Sequence, residues 1–519
     1  MENKTYKIKY LFAKGVLLLL TVMFVLPACQ ERLDDMNMNP NAITTVPVDY
    51  LFTTAVRQTF RLGDGGGFAY SAFDVMQVDF GAQHAHLAVS WSTVREIDNY
   101  EETYVGDIPQ QLFGAIYGSA IKYCRDVSIL TDVNGTQENE LQHALTDIVA
   151  VMNYSRLTDL FGDVPYFESG LGKEGVFLPE YDPQEEIYSD MLERLENSLE
   201  LIETADFSGA FPGADPMYNN DRESWIRFTN SLRLRLAMRA RFADPDKYEA
   251  IISECLAGDL IEENRHNARL QHWDSDHGEL RNPWYKRYEE KYLAKVYNFN
   301  VSQKYVDFLA NTSDPRLQVM VDTNSLGAYV GMPNGLNDVY YSNFERQNAS
   351  ILSNQVLAKD QDLYYMTASE IWFLRAEAAL FNLGEGDANQ LYQTGISLAM
   401  GQWGIPQEDI DSFLTTSPEG ILTGSDEEKF EQIGNQMWLA FVPNYIEAWF
   451  NIRRTGYPII EQRTADSLET GVTDGYMPSR VVYPRTTERT INGENMQEAI
   501  DRMADGDHIY SRVWWDVRD

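Results

Sequence analysis

Apolar residues recur at helical spacing along most of the chain, and five stretches carry the pattern most strongly. In ELQHALTDIVAVMNYSRLTDLFG, residues 140–162, Leu141, Leu145, Ile148, Met152 and Leu157 line a helix that Gly162 is placed to end. Residues 182–203, DPQEEIYSDMLERLENSLELIE, open with Asp182 as a cap and Pro183 at the first helical position. Glu185 and Glu186 follow where free amides and the helix dipole favour carboxylates. Residues 222–242, 367–382 and 427–452 complete the set. No strand-helix-strand alternation occurs, so antiparallel helix pairs are predicted in place of a parallel sheet. Between residues 261 and 366 the periodicity gives way to Asn, Asp, Gly and Pro among many aromatics, as in long ordered loops. The pattern predicts a mainly α fold, with a helical scaffold over about 49–260 and 367–519 and a loop-rich insertion over about 261–366.

The N-terminus is patterned differently. Lys4, Lys7, Lys9 and Lys14 lead into GVLLLLTVMFVLPA, an apolar run short of the roughly 20 residues that span a bilayer. Residues 1–28 therefore read as a secretory signal peptide. Ala28 directly precedes Cys29 and Leu26 lies three residues before it, an arrangement that resembles a bacterial lipoprotein box, in which the cysteine is lipidated and becomes the new N-terminus. Acyl chains contribute about 0.8 kcal/mol per buried methylene, so two or three hold a protein on a membrane without any spanning helix. Asp34 and Asp35 resemble the acidic export signal of surface lipoproteins of the Bacteroidetes. The alternative is an ordinary secretory signal with an incidental cysteine.

Charge narrows the partners. With 79 Asp and Glu against 42 Lys and Arg the formal net charge is −37, and such a surface repels phosphate, so nucleic acid and anionic lipid heads are excluded. Cys124 and Cys255 each sit in an apolar helical pattern, which favours buried free thiols over a disulfide framework. Tetratricopeptide repeats, sought at their period of about 34 residues, appear as helix pairs without a clean consensus.

Particular strings say more. LTDLFGDVPYFES (157–169), WIRFTNSLRLRLAMRAR (225–241), ASEIWFLRAEAALFNLG (368–384), NYIEAWFNIRRTGYP (444–458) and RVVYPRTTERTIN (480–492), with MNMNPN (36–41), closely resemble the SusD/RagB family of nutrient-binding outer-membrane lipoproteins. They occur in that family's order and span nearly the whole chain after residue 28. The resemblance implies one SusD-like domain over 29–519, built as a right-handed stack of tetratricopeptide-like helix pairs with the loop-rich remainder shaping a ligand face. It implies a cell-surface protein on the outer membrane that binds a glycan and delivers it to a SusC-like TonB-dependent transporter. It implies no catalytic residue and no cofactor. A RagB-like peptide receptor would use the same scaffold and partner. Read for structure alone, the strings suit packing: in LRLRLAMRARF, Leu232, Leu236 and Arg239 share one side, flanked by Arg233 and Arg241, which suits an apolar stripe with arginines free to pair carboxylates.

Catalytic motifs do not add up to an enzyme. GLGKEG (170–175) fits a dinucleotide fingerprint in letters but precedes VFLPEYDP, with no strand before it and no helix after, so its glycines serve a loop. Glu370 and Glu377 lie about 10 Å apart along one helix, slightly beyond an inverting glycosidase's carboxyl separation, with Leu374 between them. An α-helical glycosidase is the remaining enzymatic alternative. Neither HAH, read as placing His84 and His86 on one side of an extended strand, nor HWDSDH, with His272, Asp274, Asp276 and His277, supplies a complete metal-ligand set.

Aromatics are more informative, because Phe, Trp and Tyr make up 12% of the chain and cluster outside the periodic helices. Sugar rings present apolar C–H faces that stack on flat side chains while neighbouring polar groups take the hydroxyls. The candidate ligand contacts are Trp91, Tyr100, Trp273, Trp284, Tyr285, Tyr340 and Tyr341. The competing reading is core: Tyr285, Tyr288 and Tyr292 also have helical spacing.

Overall fold

The computed structural model describes residues 46–63, 71–90, 95–104, 106–289 and 299–518. Cys29, and with it the signal and lipidation readings, lies outside them. The principal helices before the loop-rich region are α1 (Val48–Arg61), α2 (Lys122–Thr131), α3 (Glu140–Phe161), α4 (Gln184–Thr204), α5 (Arg222–Ala240) and α6 (Pro245–Ala257). Within that region lie α7 (Gln303–Asn311) and the short α8 (Asp338–Asn343); after it come α9 (Ala368–Leu380), α10 (Ala388–Gln402), α11 (Asp426–Ala440) and α12 (Tyr445–Thr455). Polar caps set most starts: Asn139, Asp221, Asp244, Thr367 and Asp387 each accept a first-turn amide, and Ser425 with Glu428 forms a capping box. Gly162 ends α3 at φ 82°, a conformation a side chain would strain.

Two of the predicted helices differ in detail. The helix expected from Asp182 begins at Gln184, and Asp182 is not its cap: its carboxylate accepts from Tyr166 N and Phe167 N, holding the turn after α3. Asp163, from that same turn, accepts from Gln184 N at 2.9 Å instead. The 427–452 stretch is two helices, because Pro443 has no N–H to donate and cannot continue α11.

Consecutive helices pack on one another, α2 with α3, α3 with α4, α4 with α5, α5 with α6, α9 with α10 and α11 with α12, as tetratricopeptide-like pairs do. Among the described residues the strands form three antiparallel two-stranded ribbons: β1 (Ala88–Ser90) with β3 (Phe299–Val301), β2 (Ala268–Leu270) with β6 (Leu363–Met366), and β4 (Val321–Asp322) with β5 (Ile351–Leu352). One apolar core runs from α1 to Trp515, and Cys124 and Cys255 are buried free thiols within it. At Gly81 a Cβ would come within 2.6 Å of Ile446 N, so only glycine lets the start of α12 seat against that segment.

The strings that carry the family resemblance are one another's electrostatic partners. Arg235 on α5 grips Glu370 on α9 through two bonds of 2.6 Å. Arg239 bridges Asp159 on α3 and Glu447 on α12. Glu377 receives Arg454 at 2.6 and 2.7 Å and lies 3.2 Å from Arg241. Burial pushes the Glu377 carboxyl up, but Arg454 and Arg241 outweigh it and hold the acid below the ordinary glutamate value. These groups are buried, where an unpaired charge costs several kcal/mol, so each arginine depends on the carboxylate that another helix brings to it.

Candidate ligand-binding site

With both glutamates bound in ion pairs inside the scaffold, the pair proposed for glycoside cleavage cannot flank a sugar. GLGKEG forms a short turn, Leu171–Glu174, between Gly170 and Gly175, both in the left-handed region. The histidines do not gather a metal. His84 is in a helical turn and His86 takes φ 50°, so neither is on an extended strand; the α-helical and π-helical run from Ala72 extends the chain up to that turn. His84 is buried against Trp449, and burial, reinforced by Arg463, lowers its pKa to about 3. His272 is buried 3.1 Å from Arg61 Nη1, while Lys359 reaches Asp276 at 2.7 Å and Asp274 at 3.6 Å, placing an ammonium where a cation would compete. Among the described residues no group of three or more His, Cys, Asp or Glu is placed to hold a metal ion.

The aromatic candidates divide by burial. Trp91 lies outside the described residues. Tyr100 is internal: Arg463 lies 3.5 Å over its ring and His86 Nε2 sits 3.0 Å from its hydroxyl, so it has no face for a ligand. Trp284 is only 1% exposed and packs against Phe73, Phe299 and Tyr445, which makes it core. Both corrections have one cause: an aromatic in an irregular stretch has no periodicity to reveal a partner that folding brings from far along the chain. Tyr285 is half-buried, stacked on Tyr288 at 5.0 Å between the cations of Arg281 and Lys359.

Of these candidates, Trp273 and Tyr340 keep exposed rings. Trp273 is 48% exposed on the 271–281 loop, which its amide closes by donating to Leu280 O at 2.9 Å. Tyr340, 53% exposed, and the half-buried Tyr341 share α8, whose cap Asn337 accepts from Val339 N and Tyr340 N. Arg95, which sequence reading passed over, completes this second place. Its guanidinium lies 3.7 Å over Tyr341, pairs with Asp338 at 2.5 Å and donates to Leu336 O at 2.8 Å. A ligand reaching the edge of Tyr341 would find a carboxylate and a guanidinium beside it for its hydroxyls, while Tyr340 offers an exposed ring on the next side of the helix. Leu468, which bridges Leu336 just before α8, also lines a cleft of about 440 Å³ with Lys304, Asp307, Asn334, Glu461 and Arg463. Tyr476 and Tyr510, also missed from sequence, line a second cleft of about 470 Å³. The only sequence signal for Tyr476 was its place after the glycine turn TDG.

A scaffold of tetratricopeptide-like helix pairs, joined by buried arginine–carboxylate pairs between its helices, defines a mainly helical protein. The chain belongs to the SusD-like family described as starch-binding and associating with the outer membrane, whose profile matches residues 41–484. It is similar in structure to a chitin-binding protein, 26% identical, with a TM-score of 0.75 over 90% of this chain and 100% of that one. A SusD homolog from Bacteroides uniformis is 25% identical, with a TM-score of 0.76 over 91% and 100%. A chitin-binding SusD homolog from Flavobacterium johnsoniae shares the fold at 22% identity, with a TM-score of 0.77 over 91% and 99%. No curated protein matches the chain in sequence.

Proposed function

We propose that this protein is a lipid-anchored component of the outer-membrane surface that binds a glycan on its loop face and passes it to a SusC-like TonB-dependent transporter, without chemical turnover. The observation that carries the reading is the α8 platform. There Arg95, paired with Asp338, lies over Tyr341, and the exposed Tyr340 follows on the next side of the same short helix, in a chain whose family is described as starch-binding. An apolar ring face with convergent hydrogen-bonding groups is what a carbohydrate requires, and the strongly acidic surface leaves polyanions poorly matched.

Alanine substitution tests it. Tyr340→Ala and Trp273→Ala are expected to weaken binding in calorimetry against a polysaccharide panel that includes starch and chitin by about 1–3 kcal/mol, the value of a large side chain covered by a ligand. Melting should not shift, since both rings are exposed. Trp284→Ala should instead cost stability, about 3 kcal/mol, as a core truncation. Undiminished binding by both surface variants would remove the platform from consideration.

The transporter part has its own test. A lid that closes a barrel needs an interface well above roughly 1,000 Å², so extraction in mild detergent is expected to co-purify a large β-barrel protein. Recovery of the free chain alone under several gentle conditions would refute the partnership.

A further inference from the structure

One loop strings the platform and the two clefts together. Leaving α12 through Gly456, the chain lines the 470 Å³ cleft with Tyr457, Ile459 and Ile460, then the 440 Å³ cleft with Glu461, Gln462 and Arg463. It next reaches α8: Ser467 O accepts from Asn337 N at 2.9 Å, Leu468 bridges Leu336, and Glu469 N donates to Gly335 O at 2.7 Å. The chain then doubles back. Arg463 N donates to Gly475 O at 3.0 Å and Gln462 Nε2 to Asp474 O at 2.9 Å, which returns Tyr476 to the first cleft. Residues 456–476 thus touch three neighbouring surfaces in succession, the outermost being the cleft farthest along the loop from the platform.

That outer cleft is built for more than packing. Tyr476 is 59% exposed and Tyr510 42%, and Tyr510 lies parallel to His508 at 4.7 Å, so its ring is held while one face stays open. The cleft also carries Glu427, which accepts from Tyr457 Oη and Arg518 Nη2, both at 2.6 Å, and the nearly buried Asp516. Two exposed tyrosines, one held against His508, beside the paired Glu427 suit the same ligand chemistry as the platform.

We infer that the cleft of Tyr476 and Tyr510 is a second glycan subsite, so that a polysaccharide seated on α8 extends along residues 456–476 and engages both ends. This rests on the glycan reading above and adds a length requirement to it. A short oligosaccharide fills one end, whereas a polymer reaches both and gains from the effective concentration that tethering supplies.

The experiment is a chain-length series measured by calorimetry and affinity electrophoresis on the full chain: maltose, maltoheptaose and soluble starch, and in parallel chitobiose, chitohexaose and glycol chitin. For the wild type, affinity is expected to rise with length beyond what counting ends explains. The double variant Tyr476→Ala, Tyr510→Ala should raise the Kd for the polymer at least about tenfold and leave the Kd for the shortest binding oligosaccharide unchanged. The ring-preserving pair Tyr476→Phe, Tyr510→Phe should retain polymer affinity. Unchanged melting of all variants confirms that the surface alone was altered. Polymer binding that survives the alanine pair, or an equal loss for short and long ligands, would overturn the second subsite while leaving the platform in place. A wild type that binds neither series would overturn the glycan reading and the subsite with it.

Discussion

Asp159→Ala is expected to destabilise the protein by about 5 kcal/mol, near the top of the range for removing one member of a buried charge group. Asp159 is fully buried on α3 and serves three donors: Arg239, Tyr188 Oη at 2.5 Å and Trp515 Nε1 at 2.7 Å. Its main-chain carbonyl takes a fourth, Arg453 Nη2 at 2.7 Å. Alanine leaves the carbonyl in place but strands the three side-chain donors, and Arg239 then carries a guanidinium partnered only by Glu447. Burying an unpaired donor costs about 1–3 kcal/mol each, and the charge adds to that. The loss should appear as a large drop in the urea midpoint and the melting temperature, with poor expression at the growth temperature as its cellular sign. Asp159→Asn, which keeps the volume and one acceptor oxygen, should fall between the two. A melting curve for Asp159→Ala that overlays the wild type would show that the helix-joining network is dispensable.

Expressed without its proposed transporter partner, Cys29→Ala is expected to release essentially all of the protein from the membrane. Among the described residues no helix is long and apolar enough to cross a bilayer, and the acidic chain has no electrostatic attraction to anionic lipid, so the proposed acyl chains would carry the attachment alone. Fractionation with a high-salt wash measures it, together with incorporation of labelled palmitate into wild type and variant. The variant should be soluble, unlabelled and as stable as the wild type. Sedimentation with membranes after the wash would overturn the lipoprotein reading.

Legibility varied with the range over which each feature is determined. The span of α3 followed from the apolar spacing of Leu141 to Leu157 and from Gly162, because both signals lie within the helix or beside it. The break between α11 and α12 was missed in reading 427–452 as one stretch, although Pro443, whose missing N–H outweighs the continuing apolar pattern, lies there in the sequence. Asp182 was misread as a cap for a different reason. An Asp before a helix is equally suited to accept amides from the preceding turn, and Tyr166 N and Phe167 N are what the fold presents to it.

The site was less legible than the scaffold. Trp273 and Tyr340 stand open and Trp284 and Tyr100 are enclosed, though all four sit in aromatic, aperiodic stretches with similar neighbours. Nothing local distinguishes them: Trp284 is covered by Phe73 and Tyr445, and Tyr100 by Arg463, each contributed by a distant segment.

By itself the sequence determined the helical class, the net negative charge and the family strings, since periodicity, charge and motif order are properties of the chain in line. Only the tertiary structure decided that those strings pair their arginines and glutamates, that Arg95 lies over Tyr341, and that residues 456–476 join two clefts to the α8 platform. The physical reason is that burial and ion pairing depend on which surfaces meet, and here the partners come from helices and loops far apart in the chain.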